Sequence, residues 1–205
     1  MDRNSRMEKL VPILRQAITI LGDDPNRDGL QKTPERWAEA LLTYTQGLRD
    51  DPQDHLKSIF QLEETEYPVG ADDMIIVDNI EFVSTCEHHI APFHGVAHIS
   101  YIPNAESRIM VGFSDLSRVV EVFARRLQIQ ERMTQQIAEA IYKYLDPAGV
   151  IVVVQATHYC MIQRGVKQRT SATITTARRG LFSTEPNLEI KFQGYLRVRI
   201  ESSQV

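Results

Sequence analysis

Two short motifs contain the only cysteines of this chain, and they constrain its fold more than any other feature. Residues 86–89 read Cys-Glu-His-His and residues 158–160 read His-Tyr-Cys, so the cysteines lie 74 positions apart (160 − 86). Cysteine and histidine at such spacings are typical ligands of a transition metal, above all zinc. A metal bound by both motifs would join two distant segments, and the fold has to bring them together.

The composition is that of an ordinary globular protein. The chain has 205 residues, 42% of them hydrophobic and 24% charged, which suffices for one domain with a core plus an appended helical segment. No apolar run approaches the roughly 20 residues of a membrane span, and residues 1–6 are too polar to indicate a secretory signal. Because two cysteines cannot build a disulfide framework, we expect a soluble protein of the reducing cytoplasm.

The charge pattern limits the partners. The net charge is −4, and the sequence has no basic stripe with interleaved aromatic residues. We therefore expect no nucleic-acid partner and no membrane partner. An anionic small molecule would need a local cluster of Arg or Lys side chains, because the overall charge repels it.

Hydrophobic periodicity predicts helices in the first third of the chain. Apolar residues recur at helical spacing over residues 10–21, and Gly22 is typical of a helix C-terminus. The Thr-Pro pair at residues 33–34 predicts the start of a second helix. We predict an N-terminal helical arm over residues 1–65 and a separate domain over residues 66–205.

The rest of the chain mixes strands and helices. Strand-like segments cover residues 74–77, 80–83, 96–102, 150–155 and 170–176. Ser114 is predicted to cap a helix over residues 115–126, and a longer helix is predicted over residues 130–145. Residues 187–200 fit a strand by their alternation and a helix by the preceding Glu-Pro. Antiparallel hairpins with a helix pair between them indicate an α+β domain.

The possible ligands outnumber what a catalytic metal needs. His158 and Cys160 are two apart on a predicted strand, so we expect their side chains on the same face. If four residues bind the metal, the site is closed and structural; if three bind, one position stays open for water. A histidine that is left over, His88 or His158, could then carry protons near neutral pH. Residue types alone leave both outcomes open.

Several long motifs, in the same order, resemble the GTP cyclohydrolase I family. They lie at residues 22–30, 33–36, 84–89, 128–132, 157–160, 164–165 and 180–182. The resemblance implies an α+β tunnelling fold, in which antiparallel sheets with a helix pair close into a barrel across subunits, behind the N-terminal helical arm. Residues 66–205 would be the catalytic domain. The family usually forms a homodecamer of two stacked pentamers, with its sites at subunit interfaces.

The resemblance also implies roles for individual residues. The zinc ligands of the family correspond to Cys86, His89 and Cys160, and the catalytic histidines to His88 and His158. The residues that match substrate contacts are Gln130 and Glu131 for guanine, and Ser114, Arg118 and Arg164 for triphosphate.

The implied reaction begins with addition of water at C8 of the guanine ring of GTP, with Zn²⁺ as the cofactor. It releases C8 as formate and yields 7,8-dihydroneopterin triphosphate for tetrahydrofolate or pterin biosynthesis. The chemistry of the residues agrees with this. A glutamate such as Glu131 can accept hydrogen bonds from N1–H and the exocyclic amine of guanine together, a pair that adenine lacks. His158 would supply a proton at N7.

The chain departs from the family at the phosphate end. The family usually reads Gly-Leu-Ser-Lys where residues 112–115 read Gly-Phe-Ser-Asp, and it often has Lys where this chain has Val96. In one interpretation Asp115 faces solvent as a first-turn helix acid; in another, other bases compensate for the lost lysine. The candidate bases are Lys167, Arg169, Arg178 and Arg179. Two further alternatives are a paralogue that acts on a different guanine nucleotide and a non-catalytic module with structural zinc.

Overall fold

The computed structural model describes residues 1–61, 63–65, 70 and 73–202, with side chains as far as residue 197. The chain divides into two compact units, Met1–Gln46 and Gly47–Val205. The predicted boundary between residues 65 and 66 falls beside residues 66–69, which lie outside the described residues. In the described part of the chain, no helix is long and apolar enough to cross a membrane.

The first unit is a pair of helices. Helix α1 covers Arg3–Ile20 and helix α2 covers Thr33–Tyr44, and the two helices contact each other. The side chain of Asp2 caps α1 by accepting the N–H of Ser5 at 2.9 Å. Gly22 follows α1 with a φ of +92°, the left-handed conformation that often ends a helix. Both predicted helices of this segment are therefore confirmed.

The second unit contains a two-stranded ribbon and a five-stranded sheet. The ribbon pairs β1 (Ile59–Gln61) with β4 (Ile109–Val111). The strands of the sheet are β2 (Ile75–Cys86), β3 (Ala91–Ile102), β5 (Leu127–Gln128), β6 (Gly149–His158) and β7 (Thr173–Gly180). Their order is β5-β2-β3-β6-β7, and all neighbours are antiparallel except the short parallel pair of β5 and β2.

Strand β2 merges two segments that the sequence separated. Residues 74–77 and 80–83 belong to one long strand, and the pairing register with β3 shifts between Val77 and Ile80. Asn79 has a φ of +52° within this irregularity. An extra residue in one strand of an antiparallel pair produces such a bulge. The polar Asp-Asn pair at residues 78–79 is therefore a bulge inside one strand.

Two helices cover one face of the sheet. Helix α3 (Phe113–Ala124) contacts β2, and helix α4 (Gln130–Leu145) contacts β6 and β7. The buried residues of this layer form one core, in which Phe93, Ile99 and Tyr101 of the sheet lie with Leu116 and Ile137 of the helices. The predicted α+β class with a helix pair is confirmed, and α4 has the predicted bounds.

The last helix resolves the ambiguous C-terminal segment. A short helix α5 covers Tyr159–Ile162, α6 covers Leu181–Thr184, and α7 covers Pro186–Ser202. Leu188 and Phe192 of α7 are buried at helical spacing in a second, smaller cluster that includes Ile102 and Ile151.

Candidate metal centre and active site

The first metal motif lies on a tight turn between β2 and β3. Cys86 is the last residue of β2, and its carbonyl oxygen accepts the N–H groups of His89 and Ile90 at 3.3 and 2.9 Å. Ile90 has a φ of +53°, which closes the turn. Because the turn folds back on the end of the strand, the side chains of Cys86 and His89 come close, with Sγ 3.8 Å from Nδ1.

The second motif is not a continuous strand, and this corrects the sequence-based expectation. Strand β6 ends at His158, and Cys160 lies in the single turn of α5. The argument that residues two apart share a face applies only while the strand continues. The strand period therefore gives no reason to place the side chains of His158 and Cys160 on one face.

The two motifs nevertheless meet. One ligand atom each from Cys86, His89 and Cys160 lies within 4.8 Å of the other two, and no second group of three such residues exists among the described residues. Burial raises the pKa of the Cys160 thiol, and the neighbouring Cys86 thiol raises it further. Two thiols and one imidazole are a donor set that suits zinc. His88 and His158 lie outside this group of three.

His158 is held by the first residue of α4. Gln130 is buried, and its Nε2 donates to the carbonyl oxygens of Val154 and Thr173 at 3.0 Å each and to Thr175 Oγ1 at 3.1 Å. These bonds fix the amide, so Gln130 Oε1 is the acceptor for His158 Nε2 at 2.9 Å. The proton of neutral His158 is thereby assigned to Nε2, and Nδ1 is free to accept.

The surroundings of His158 favour its neutral form. Its ring stacks on Phe93, with centroids 4.5 Å apart and an interplanar angle of 4°. Burial lowers the pKa of His158, and the carboxylate of Glu131 opposes part of that effect. Glu131 is exposed in the first turn of α4 and has no hydrogen-bond partner among the described residues. It is therefore an available carboxylate close to the histidine.

An ion pair that sequence reasoning missed joins α4 to the turn that carries Cys86 and His89, which we call the metal turn. Both Arg132 Nη1 and Nη2 donate to Glu87 Oε2, at 2.8 and 2.6 Å. The backbone N–H of Glu87 also donates to the carbonyl oxygen of Gln128 at 3.0 Å. Glu87 and Arg132 both lie in motifs that resemble the family, and their opposite charges were the sequence signal that could have indicated this ion pair. The pair fastens the turn that carries Cys86 and His89.

The predicted phosphate contacts lie on other elements. Ser114 and Arg118 are exposed on α3, and Arg164 is exposed in the loop after α5. Helix α3 begins at Phe113 with Gly112 before it, so Ser114 is in the first turn and is not the cap that the sequence predicted. No hydrogen bond or ion pair in the described part of the chain joins these three residues to the Cys-His-Cys group.

Of the alternatives for Asp115, the one in which its side chain faces solvent is wrong. Asp115 is only 1% exposed. Its Oδ2 accepts the backbone N–H of Ser58 at 2.9 Å, and its Oδ1 pairs with Arg118. Ser58 lies just before β1, far from Asp115 in sequence, so no local pattern could predict this contact. Of the candidate compensating bases, Arg178 is paired with Glu189 and Arg179 with Glu139, whereas Lys167 and Arg169 are exposed.

The fold and the site define the class of this protein: an α+β protein with a Cys-His-Cys group of the metal-binding kind beside a histidine of fixed orientation. The family model for GTP cyclohydrolase I matches residues 11–197, and the chain belongs to that family. The resemblance and the prediction of an enzyme of this family are thereby confirmed.

Individual relatives extend the match over almost the whole chain. The chain is 42% identical over 201 residues to the GTP cyclohydrolase 1 of Clostridium kluyveri, covering 98% of this chain and 100% of the relative. It is 46% identical over 194 residues to that of Bacteroides fragilis, covering 94% of each. Among solved structures, the apo archaeosine synthase QueF-Like is 14% identical, with a TM-score of 0.43, over 52% of this chain and 93% of that one.

Proposed function

We propose that this protein is a zinc-dependent GTP cyclohydrolase I, which hydrolyses GTP at guanine C8, releases formate and forms 7,8-dihydroneopterin triphosphate. The observation that carries the proposal is the convergence of Cys86, His89 and Cys160, with the oriented His158 two residues from Cys160 in sequence. Family membership supports the reaction class. If these three residues alone held the metal, a fourth position would be open, as in catalytic zinc sites, and a divalent cation would relieve the repulsion between two adjacent thiolates. When bound there, zinc would supply Lewis-acid activation of water near neutral pH.

His158 is proposed to move the proton of the first step. Addition of water across the N7=C8 bond places oxygen on C8 and a proton on N7. A histidine with a lowered pKa is neutral at the start, so Nδ1 can take a proton from water and return it to N7. Gln130 keeps the Nε2–H oriented away from this exchange. We assign His88, which is exposed on the metal turn, to proton transfers during ring opening and formate release.

Glu131 is proposed to recognise guanine. Its carboxylate is exposed, lies near His158 and can accept from N1–H and the exocyclic amine. The amide of Gln130 is already bonded within the protein, so a guanine contact by this residue would use its main-chain groups. Arg164 and Arg118, with Ser114, are proposed to bind the triphosphate, because guanidinium groups match phosphate oxygens.

We further propose a homo-oligomer with interfacial sites, in which sheets of neighbouring copies close into a tunnelling-fold barrel and ten copies assemble. The support is that the phosphate contacts and the Cys-His-Cys group lie on separate elements, so a neighbouring copy can complete the site. The two free thiols suit a reducing compartment, and we assign the protein to the cytoplasm.

The test is turnover by the zinc-loaded protein. Incubation with GTP should release formate and a pterin that fluoresces after oxidation. His88→Ala and His158→Ala should keep stoichiometric zinc and lose turnover, whereas His55→Ala, in the short helical turn Pro52–His55, should keep both. If the zinc-loaded wild type forms neither product, the proposal is wrong. Loss of zinc in both histidine variants would instead indicate a closed structural site.

A further inference from the structure

Asp115 is a buried acid with two different partners. One carboxylate oxygen accepts the backbone N–H of Ser58, and the other pairs with Arg118. The N–H of Gly112 returns a bond to the carbonyl oxygen of Ser58 at 3.0 Å. The segment before β1 is thus bonded on both sides to the start of α3. A buried carboxylate is stable only with such partners, so its position is well defined.

Arg118 differs from its partner in exposure. Its side chain is 56% exposed, while that of Asp115 is 2% exposed. Only Nη1 of Arg118 bonds to the carboxylate, and the described residues provide no other partner for its guanidinium group. The pair therefore anchors one nitrogen of a long, flexible side chain and leaves its other N–H groups without a partner among the described residues.

We infer that Asp115 is a positioning residue for phosphate binding, which acts by orienting the guanidinium group of Arg118. The inference rests on the proposed function, in which Arg118 contacts the triphosphate. An arginine that is already anchored loses less conformational freedom when it binds an anion than a free arginine does. Asp115 thus contributes to phosphate affinity although it carries the same sign of charge as the ligand.

Asp115 could also act on phosphate binding in the opposite direction. The carboxylate also offsets the charge of Arg118, so its removal could strengthen anion binding. The hydrogen bond from the N–H of Ser58 stabilises the carboxylate independently of Arg118. Removal of Asp115 therefore distinguishes the two effects. Weaker phosphate binding indicates orientation of Arg118, and tighter binding indicates charge compensation.

The experiment measures binding of inorganic tripolyphosphate to the full-length, zinc-loaded protein by calorimetry, so it needs no turnover. Asp115→Ala and the isosteric Asp115→Asn should weaken binding about 3- to 10-fold, the cost of ordering one long side chain. In the Arg118→Ala background, Asp115→Ala should have no further effect, as expected for coupled residues. The KM for GTP should rise, with little change in the KM for guanosine or in kcat.

Several outcomes would overturn the inference: unchanged or tighter tripolyphosphate binding by both Asp115 variants, equal effects with and without Arg118, or no tripolyphosphate binding by the wild type. Unfolding midpoints of both variants control for damage to the fold, and Asp115→Asn remains informative if Asp115→Ala does not fold. Coupled binding in a protein that releases no formate from GTP would refute the proposed function and leave this inference standing. Turnover without coupling would do the reverse.

Discussion

Replacement of Gln130 by Met should affect stability and catalysis together. The variant keeps the length of the side chain but removes the two N–H groups that Val154, Thr173 and Thr175 share, and the oxygen that accepts from His158. Each of these three hydrogen bonds is worth about 1 kcal/mol net, which sets an upper value of about 3 kcal/mol. The carbonyl oxygens have a second lone pair, and the hydroxyl of Thr175 retains a neighbouring hydroxyl at 2.6 Å. We therefore expect a loss of about 1–3 kcal/mol in the free energy of unfolding.

The same variant should also lower kcat. Without Gln130, nothing among the described residues fixes the proton of His158 on Nε2, so the histidine samples the wrong tautomer. We expect a decrease in kcat of about 10- to 100-fold, within the range that acid–base catalysis contributes, with zinc content unchanged.

Urea unfolding at a fixed protomer concentration measures the first effect, and steady-state formate release measures the second. Gln135→Met is the matched control, because Gln135 is exposed on the same helix and accepts only a surface bond from Arg179 at 3.0 Å. It should change stability by less than about 0.5 kcal/mol. A Gln130→Met protein that is as stable and as active as this control would refute the reasoning.

Three other variants test separate parts of the structure. Arg132→Met removes the ion pair to Glu87 and should weaken zinc binding about 10-fold, as loss of outer partners of metal ligands does. Competition with a chelating dye measures the zinc affinity. An unchanged affinity would contradict the idea that this ion pair positions the metal turn. Burial lowers the pKa of His98, whose Nδ1 accepts the N–H of Asn79 at 3.3 Å. The contribution of neutral His98 to stability is therefore complete above the unfolded pKa of about 6.5 and is lost as the pH falls through the lower folded pKa. His98→Asn should flatten the acid side of the urea midpoint against pH, and an unchanged slope would count against this. Gly95→Ala places a Cβ 1.9 Å from a carbonyl oxygen of β6 and should cost more than about 3 kcal/mol in thermal unfolding, whereas a loss below about 1 kcal/mol would show that the strands can separate.

Local patterns in the sequence predicted the elements whose boundaries are set locally. Helix α4 has the predicted bounds because its apolar stripe ends at Asp146, which adopts a left-handed conformation before Pro147. A continuous apolar run predicted strand β6, because a strand that is covered on both faces carries apolar residues on both of them. The close approach of Cys86 and Cys160 was likewise expected from ligand chemistry alone.

Other features depend on contacts that no local pattern contains. The spacing of His158 and Cys160 cannot show that the chain leaves the strand between them. The burial of Asp115 follows from Ser58, which is 57 positions away in sequence. A polar residue in the first turn of a helix is exposed by default, so only the tertiary contact reverses the expectation.

The first turn of α4 connects the parts of the proposed site because successive helical residues point in different directions. Side chains leave a helix about 100° apart, so three consecutive residues face three surroundings. Gln130 faces the sheet and holds His158, Glu131 faces solvent near that histidine, and Arg132 reaches Glu87 on the metal turn. A shift of this turn along its axis would therefore move the histidine, the carboxylate proposed to bind guanine and the metal turn together. Substitutions that displace the whole first turn of α4 should therefore lower metal affinity and kcat in parallel, whereas Gln130→Met, which removes the bonds of one side chain, should lower kcat and leave the zinc content unchanged.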